Sequence, residues 1–405
     1  MEKKQERREK GITLVALVIT IIVLIILAGV TITMLIDENG IVTRAQRAKN
    51  EIEEAQKREE NILSQTEFYM AGEAEVGKIV EGSNKTINGK AYSYRNPVIP
   101  EGFAAIETED ATWKLDSEGN PSGWNKGLVI SDAVDNNGNS IGNEFVWIAV
   151  DNENVSYDRI VWSKDGWEYS QSSLGIDTET NSLKIIRDPS IQGYYCVEKL
   201  SDEEKNSVNK YGGFYIGRYE SGVKNYTDID IDEFDAAYSF APNNEWTAFI
   251  DGEISIREGE TIWTLITLKE AEKKAEQLYS LSSSVSSKLV SSYAWDTALQ
   301  FISQEDENFP TDSNDKGNYN DDEWTNVEAF KTGRYKVCNI FDMAGNAQEY
   351  TTEEIKGEGR FGVRRGGSLC PWSNGTIEPA AFAGYGYVTN NAENAMGFRV
   401  TLYIK

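Results

Sequence analysis

Histidine is absent from this chain of 405 residues. It is the side chain whose charge changes near neutral pH, and it supplies the base of Ser-His-Asp triads and the ligands of H-E-x-x-H zinc sites. Its absence excludes those catalytic classes, together with iron centres held by histidine. Catalysis would have to use carboxylates, lysine, tyrosine or a thiol, and no spacing singles out a catalytic pair of carboxylates.

Cysteine and positive charge are also scarce. Three cysteines, Cys196, Cys338 and Cys370, are too few for a scaffold built on disulfides. The 40 lysine and arginine residues face 66 aspartate and glutamate residues, which gives a formal net charge of -26. A polyanion is repelled by such a chain, so we expect no nucleic-acid partner.

Charge is missing altogether between Ile12 and Ile36, a segment rich in isoleucine, valine and leucine. About 20 apolar residues suffice to span a bilayer as a helix, so we predict a transmembrane helix over residues 12–36 that contacts the membrane. Residues 1–11 form a mostly basic leader, which the positive-inside rule keeps in the cytoplasm. The pattern predicts a single-pass protein of the cell membrane with an extracytoplasmic C-terminal domain.

The start of this segment, Gly11 followed by Ile12, Thr13 and Leu14, resembles the N-terminus of type IV prepilins. In that family a peptidase cuts after the glycine, so the resemblance implies processing between Gly11 and Ile12. The chain departs from the pattern at Ala16, where pilins usually carry a glutamate that aids filament assembly. A pilin-like anchor that does not polymerise and a plain uncleaved anchor both remain open.

The chain beyond Ile36 divides into two parts that differ in their pattern of apolar and charged residues. Residues 37–70 have apolar positions at near-helical spacing among many charges and are interpreted as a stalk helix or linker. From about Gly77 the sequence predicts short strands, among them Glu144–Val150 and Gly213–Glu220. A capping box beginning at Thr267 predicts the start of one helix. A second helix is predicted from the apolar positions Trp295, Ala298, Leu299 and Ile302.

The most specific motifs lie in the C-terminal third, at Asn339–Tyr350, Arg365–Ser368 and Gly397–Val400. They look like the ordered motifs of the formylglycine-generating (sulfatase-modifying factor) family, and Phe145–Ile148 and Gly213–Glu220 are similar to its first strands. The resemblance implies a C-type-lectin-like domain, which we assign to residues 77–405. The predicted fold class is therefore α+β, with the N-terminal transmembrane, pilin-like helix followed by this lectin-like domain and its irregular loops.

The activity of that family depends on residues that this chain lacks. The copper-dependent oxidases use two cysteines just after the Gly-Gly-Ser, and Cys370 has no second cysteine between it and Lys405. We therefore predict no catalytic residues, and a buried Arg399 would instead tie loop carbonyls or carboxylates together. The resemblance also offers Asn346 and Glu349 as ligands of a structural calcium, with the absence of any cofactor as the alternative.

Between Ser368 and Gly397, aromatic residues alternate with small and amide residues, a palette typical of adaptable binding surfaces. The alternative is a glycine-rich loop with buried aromatics. The candidate ligand-binding residues are Leu369, Cys370, Trp372, Ser373, Asn374, Phe382, Gly384, Tyr385, Gly386, Tyr387, Asn390 and Asn391. The stretch also resembles the variable region of proteins targeted by diversity-generating retroelements. That resemblance implies diversification at Leu369, Cys370, Ser373, Phe382, Gly384, Tyr385, Gly386 and Tyr387.

Taken together, these patterns predict a membrane-anchored binding protein displayed at the cell surface, whose partner is a protein or a glycan. Two other functions stay open. An oxidase of the formylglycine-generating type would have to work with one cysteine. A minor pilin-like assembly component is favoured by the N-terminus and disfavoured by Ala16.

Overall fold

A computed structural model gives the structure of the chain, which divides into two compact units, Met1–Leu63 and Ser64–Lys405. In the first unit the structure describes Lys49, which is helical and exposed, and the remainder of the predicted stalk in that unit lies outside the described residues. In the second unit it describes residues 85–87, 90–92, 97–115, 117, 121–151, 154–160, 162–164, 167–168, 174–177, 182–185, 195–198, 200–224, 252–264, 266–319, 331–356, 360–368, 377–387 and 396–405.

Short strands make up most of the regular structure in these residues. The first twelve are β1 (Lys85–Ile87), β2 (Lys90–Tyr92), β3 (Ala104–Ile106), β4 (Thr112–Leu115), β5 (Pro121–Ser122), β6 (Val129–Ser131), β7 (Glu144–Ala149), β8 (Ser163–Lys164), β9 (Trp167–Glu168), β10 (Leu174–Asp177), β11 (Ser182–Ile185) and β12 (Tyr195–Val197). The others are β13 (Gly213–Gly217), β14 (Gly222–Val223), β15 (Ile254–Ser255), β16 (Thr261–Ile262), β17 (Val285–Leu289), β18 (Lys336–Val337), β19 (Ile340–Phe341), β20 (Gln348–Lys356), β21 (Arg360–Arg365), β22 (Ala383–Tyr387), β23 (Met396–Phe398) and β24 (Val400–Ile404). The helices are α1 (Asp202–Tyr211), α2 (Leu268–Leu278), α3 (Ser292–Ser303) and a 3-10 turn at Trp124–Lys126.

A six-stranded antiparallel sheet in the order β17-β24-β13-β7-β6-β3 carries the core. Successive side chains of a strand point to opposite faces, so Phe145 and Trp147 join one buried cluster and Val146 and Ile148 the other. Because both faces are buried, β7 reads in sequence as a continuous apolar run rather than an alternating one. Helix α2 packs in the first cluster and α3 in the second.

Helices α2 and α3 confirm the predictions made from local sequence, whereas α1 was not predicted. Thr267 caps α2, where its side chain accepts from the Glu270 amide and the Glu270 carboxylate accepts from the Thr267 amide, as a capping box requires. Leu268, Ala271 and Ala275 are the buried residues of this helix. In α3, Trp295 is fully buried among other apolar residues of that helix. The predicted strands at Glu144–Val150 and Gly213–Glu220 correspond to β7 and β13.

A second sheet positions the segment predicted to bind a ligand. Its strands follow the order β10-β11-β12-β20-β21-β22, and β23 pairs parallel with β20 on a separate path. Strand β23 is followed at once by Arg399 and then by β24 of the six-stranded sheet. Arg399 therefore lies at the junction of the two large sheets. Smaller sheets are β15-β14-β16, β1-β2, β4-β5, β8-β9 and β18-β19.

The predicted fold class is wrong. The prediction was an α+β domain with irregular loops, whereas strands predominate over helices and the sheets are antiparallel apart from the β20–β23 pair. The physical reason is that segments for which no strand was predicted, such as Gln348–Lys356 and Arg360–Arg365, pair with each other as strands. Within the described residues no helix is both long and apolar enough to cross a membrane. The described residues give no support to the predicted transmembrane, pilin-like helix or to the membrane assignment, and residues 12–36 themselves lie outside the described part.

Candidate functional site

The described candidate ligand-binding residues lie together at one edge of the second sheet. Gly384, Tyr385, Gly386 and Tyr387 belong to β22, and half-buried Phe382 immediately precedes that strand. In the described part of the chain β22 pairs with β21 alone, with Tyr385 opposite the buried Val363. Several predicted residues lie outside the described part, namely Leu369, Cys370, Trp372, Ser373, Asn374, Asn390, Asn391, Gly11 and Ile12.

The chain leaves β21 through two glycines with left-handed backbone, Gly366 (φ +90°) and Gly367 (φ +75°), before Ser368. A Cβ on Gly367 would lie 2.1 Å from the carbonyl oxygen of Glu378, and a Cβ on Gly366 would lie 3.2 Å from the ring of Trp295. Glycine is thus required at position 367 because of its positive φ and because the backbone of Glu378 passes close to it. The two ends of the segment 369–376 are held side by side.

The segment Glu378–Ala380, which follows residues 369–376, is held by hydrogen bonds from three parts of the structure. The indole Nε1 of Trp295 donates to the Ala380 carbonyl at 3.0 Å, and the Ala380 amide donates to Ser313 Oγ at 2.9 Å. The Tyr319 hydroxyl donates to the Glu378 carbonyl at 2.7 Å, and Gln348 Nε2 donates to the Glu378 carboxylate at 2.6 Å. Helix α3, the loop around Ser313 and strand β20 therefore support the residues that precede β22.

Arg365, at the end of β21, belongs to a buried group of charged side chains. The group is named here the five-charge cluster and consists of Arg159, Glu198, Asp296, Glu353 and Arg365. Arg159 Nε lies 2.8 Å from Asp296 Oδ2, and its Nη1 lies 2.9 Å from Glu353 Oε1 and 3.8 Å from Glu198 Oε2. Arg365 Nη2 contacts Asp296 Oδ1, and both of these side chains are fully buried. Arg365 is the last residue of β21, so the cluster fixes the start of the Gly-Gly-Ser turn.

Glu198 is held by hydrogen bonds, and its pKa is raised. Its Oε1 accepts from the Ser292 amide at the start of α3 at 2.8 Å and from Thr352 Oγ1 at 2.6 Å. Burial, joined by the neighbouring Glu353 carboxylate, raises the pKa of Glu198 to about 7, although Arg159 and Thr352 act in the opposite direction. Glu198 therefore titrates close to neutral pH.

A second buried cluster surrounds Arg399, as the sequence predicted. Its Nε lies 3.1 and 3.0 Å from the two oxygens of Glu349, and its Nη2 lies 2.6 Å from Glu349 Oε1. The same guanidinium donates to the carbonyls of Gly217 and Phe341, both at 2.9 Å. Arg399 and Glu349 are both fully buried. Charge-assisted bonds to a carboxylate and to backbone carbonyls of separate segments join the two sheets at this point.

Two further carboxylates face this pair. Glu220 accepts from the Ala347 amide at 3.1 Å and from Asn346 Nδ2 at 2.5 Å. Asp342 accepts three backbone amides from residues 333–335. Burial raises the pKa of Glu220 well above its ordinary value, and Glu349 and Asp342 add to the effect. One guanidinium cannot neutralise three buried carboxylates, and this imbalance is part of why the pKa of Glu220 is raised.

The calcium site offered by the resemblance does not fit this geometry. Both oxygens of Glu349 accept from Arg399, and Asn346 Oδ1 accepts from Asn318 Nδ2 at 3.0 Å. The oxygens that a cation would need are occupied by N–H donors, beside a positive guanidinium. Among the residues that the structure describes, no group of three or more His, Cys, Asp or Glu could hold a metal ion.

Sequence reasoning missed the five-charge cluster. Arg365 belongs to the motif Arg365–Ser368, but the sequence suggested no role for it. Asp296 lies next to Trp295 in the apolar helix α3. A charged residue among the apolar positions of a buried helix was the one available signal. Nothing in the sequence indicated its partners, because Arg159 and Glu353 are separated by 194 positions.

Cys338 should be an unreactive thiol. The residue is partly buried and packs against the second core cluster, and desolvation together with nearby Glu305 raises the pKa of its thiol far above the ordinary value. Because the thiolate is the reactive form, we expect its alkylation at pH 8 to be at least about tenfold slower in the folded chain than in guanidinium. Peptide mapping by mass spectrometry reports Cys338 separately from the other cysteines. Equal rates in the two states would contradict the burial of the thiol.

Comparison with known proteins gives little guidance. No protein-family model and no curated protein matches the chain. Among solved structures, it is similar to one entitled "Crystal Structure of CarF", at 14% sequence identity and a TM-score of 0.31, over 48% of this chain and 87% of that one. A likeness at that TM-score carries no argument about fold or function.

Proposed function

We propose that this chain is a ligand-binding protein without catalytic activity, and that its ligand, a protein or a glycan, contacts the segment between Ser368 and Gly397. The observation that carries the proposal is the support of the first part of this segment, residues 369–376, on both sides. Gly366 and Gly367 leave β21 beside the fully buried Arg365, and Glu378 and Ala380 are bonded to Trp295, Tyr319 and Gln348. A rigid scaffold that holds a loop is the usual arrangement for recognition.

The position of β22 adds support. The tyrosines Tyr385 and Tyr387 lie on a strand that pairs on one side alone in the described part of the chain. Tyrosine offers a large rigid contact area at low entropic cost. The motifs that resemble the formylglycine-generating family lack its second cysteine, which is the reason to propose binding instead of oxidation.

The proposal is tested by probing a combined protein and glycan array with the full chain. For the best ligand found, Trp372→Ala, Tyr385→Ala and Tyr387→Ala are each expected to weaken binding about tenfold or more, as truncation of an aromatic hot spot does. Tyr335→Ala is the matched control, because Tyr335 is 44% exposed and lies outside the segment. Unchanged affinity in all three variants, with thermal unfolding like that of the control, would move the site elsewhere.

Diversification of the segment is a separate part of the proposal. If the segment is a retroelement target, sibling genes should differ at Leu369, Cys370, Ser373, Phe382 and Gly384 to Tyr387 while the supporting residues Trp295 and Arg365 stay the same. Sequencing those genes checks it, and identical segments would count against it. An extracytoplasmic location remains a prediction of the basic leader.

A further inference from the structure

The five-charge cluster has an unbalanced charge. Arg159 and Arg365 supply two positive charges, whereas Glu198, Asp296 and Glu353 supply three negative charges when all are ionised. Every member is nearly inaccessible, the most exposed being the Arg159 side chain at 8%. An uncompensated charge in such a place is costly because the low dielectric does not solvate it. One bound proton makes the cluster neutral.

The contacts indicate where that proton lies. The same nitrogen, Arg159 Nη1, is 2.9 Å from Glu353 Oε1 and 3.8 Å from Glu198 Oε2, so the two carboxyl groups are neighbours. Each has one buried oxygen, Oε2 in both residues, that lacks a hydrogen-bond partner in the described part of the chain. Buried polar atoms are nearly always satisfied, and a bound proton would add a hydrogen-bond donor that an ionised carboxylate cannot offer.

We propose that Glu198 is a proton-binding site, in which the buried carboxyl group of Glu353 beside it favours one bound proton at neutral pH. The site joins three elements, since Glu198 follows β12, Glu353 lies on β20, and Glu198 accepts the Ser292 amide at the start of α3. Loss of the proton leaves one excess negative charge beneath the turn that begins at Arg365. The inference does not depend on which ligand the chain binds.

The surroundings of Glu198 are consistent with a single proton. The charged and titratable groups that face it are Glu353 on β20, Arg159 from the segment 154–160, and Asp296 and Tyr293 on α3, with Arg365 on β21 held through Asp296. Tyr293 stays neutral because burial raises the pKa of its hydroxyl. Asp296 already contacts two guanidinium groups, those of Arg159 and Arg365. The proton therefore goes to Glu198, beside Glu353.

The direction of the pH effect follows from the raised proton affinity of the folded state. An unfolded Glu198 titrates near its ordinary value of 4.5, and the folded one near 7. Between these values the folded state holds a proton that the unfolded state does not. The contribution of Glu198 to stability is therefore fully present below about pH 4.5 and is lost as the pH rises through about 7.

The experiment compares the full chain with Glu198→Gln and Glu353→Gln in equilibrium unfolding at a series of pH values from 4.5 to 8. Relative to either variant, wild type should gain stability as the pH falls, with a change in the unfolding equilibrium constant on the order of a hundredfold. Near pH 6, unfolding of wild type should release about one more proton than unfolding of either variant. Glu253→Gln, a change in an exposed ion pair, should follow wild type.

Three results would overturn the proposal. The first is a difference between wild type and Glu198→Gln that is the same at pH 5 and pH 8. The second is a Glu353→Gln variant that keeps the full pH slope of wild type, since Glu353 would then have no part in favouring the proton. Should both variants fail to fold, infrared spectroscopy of native wild type decides, and a buried protonated carboxyl band that does not weaken between pH 6 and pH 9 is the third.

Discussion

Replacing Arg399 with methionine should lower the free energy of unfolding by about 3 to 5 kcal/mol, the usual cost of removing one partner of a buried ion pair. Methionine keeps much of the side-chain volume but leaves the Glu349 carboxylate buried without the guanidinium that contacts both of its oxygens. It also removes the donors to the carbonyls of Gly217 and Phe341. Denaturant-induced unfolding measures the loss.

The matched control is Lys224→Met. Lys224 pairs with Glu253 at 2.7 Å, but the two side chains are 50% and 59% exposed, so water screens the pair and the expected loss is about 0 to 1 kcal/mol. The double variant Arg399→Met with Glu349→Leu should recover part of the loss, because it leaves no unpaired charge from this pair. A single Arg399→Met variant as stable as the Lys224 control would contradict the assignment of Arg399 as the link between the sheets.

Replacing Gly367 with alanine should destabilise the chain more than the same change at Gly259, although the two glycines have nearly equal φ values of +75° and +76°. At Gly259 a Cβ meets no atom within 4 Å, so the cost is the left-handed conformation, about 1 to 2 kcal/mol. At Gly367 the Cβ would lie 2.1 Å from the Glu378 carbonyl oxygen. Moving Glu378 away from this Cβ should add about 1 to 3 kcal/mol to the loss of unfolding free energy.

Parallel denaturant melts of the two alanine variants check this difference. The proposed binding function adds a second readout, because moving Glu378 away from Gly367 shifts both ends of the segment 369–376. Ligand affinity should therefore fall in Gly367→Ala and stay unchanged in Gly259→Ala. Equal losses of stability in the two variants would show that the close approach at Gly367 does not constrain the chain.

Elements governed by local rules were predictable. Helix α2 begins at the predicted capping box, and β7 matches the predicted apolar strand, because capping and β-propensity act between residues close in sequence. The proportion of strand was not predictable from the same rules. Strands β20 and β21 carry many charged residues, and they are stable as strands because they pair with each other and with β12, β22 and β23.

The candidate site was also predictable only in part: the residue types were predictable, and their contacts were not. The sequence marked Glu349 and Asn346 for their oxygen atoms, and it marked Arg399 for its cationic side chain. Only the fold shows that the Glu349 oxygens face Arg399, which turns a suggested calcium site into an ion pair. The composition of a motif gives the available donors and acceptors, whereas their partners depend on distant segments.

The sequence by itself determined that imidazole chemistry is missing, because none of its 405 residues is histidine. It also determined the apolar faces of the helices, because these depend on spacing along one segment. Only the tertiary structure decided which carboxylates lie beside Arg159 and Arg399. Those contacts join residues up to 194 positions apart, and the energy of a buried charge depends on the groups around it in space.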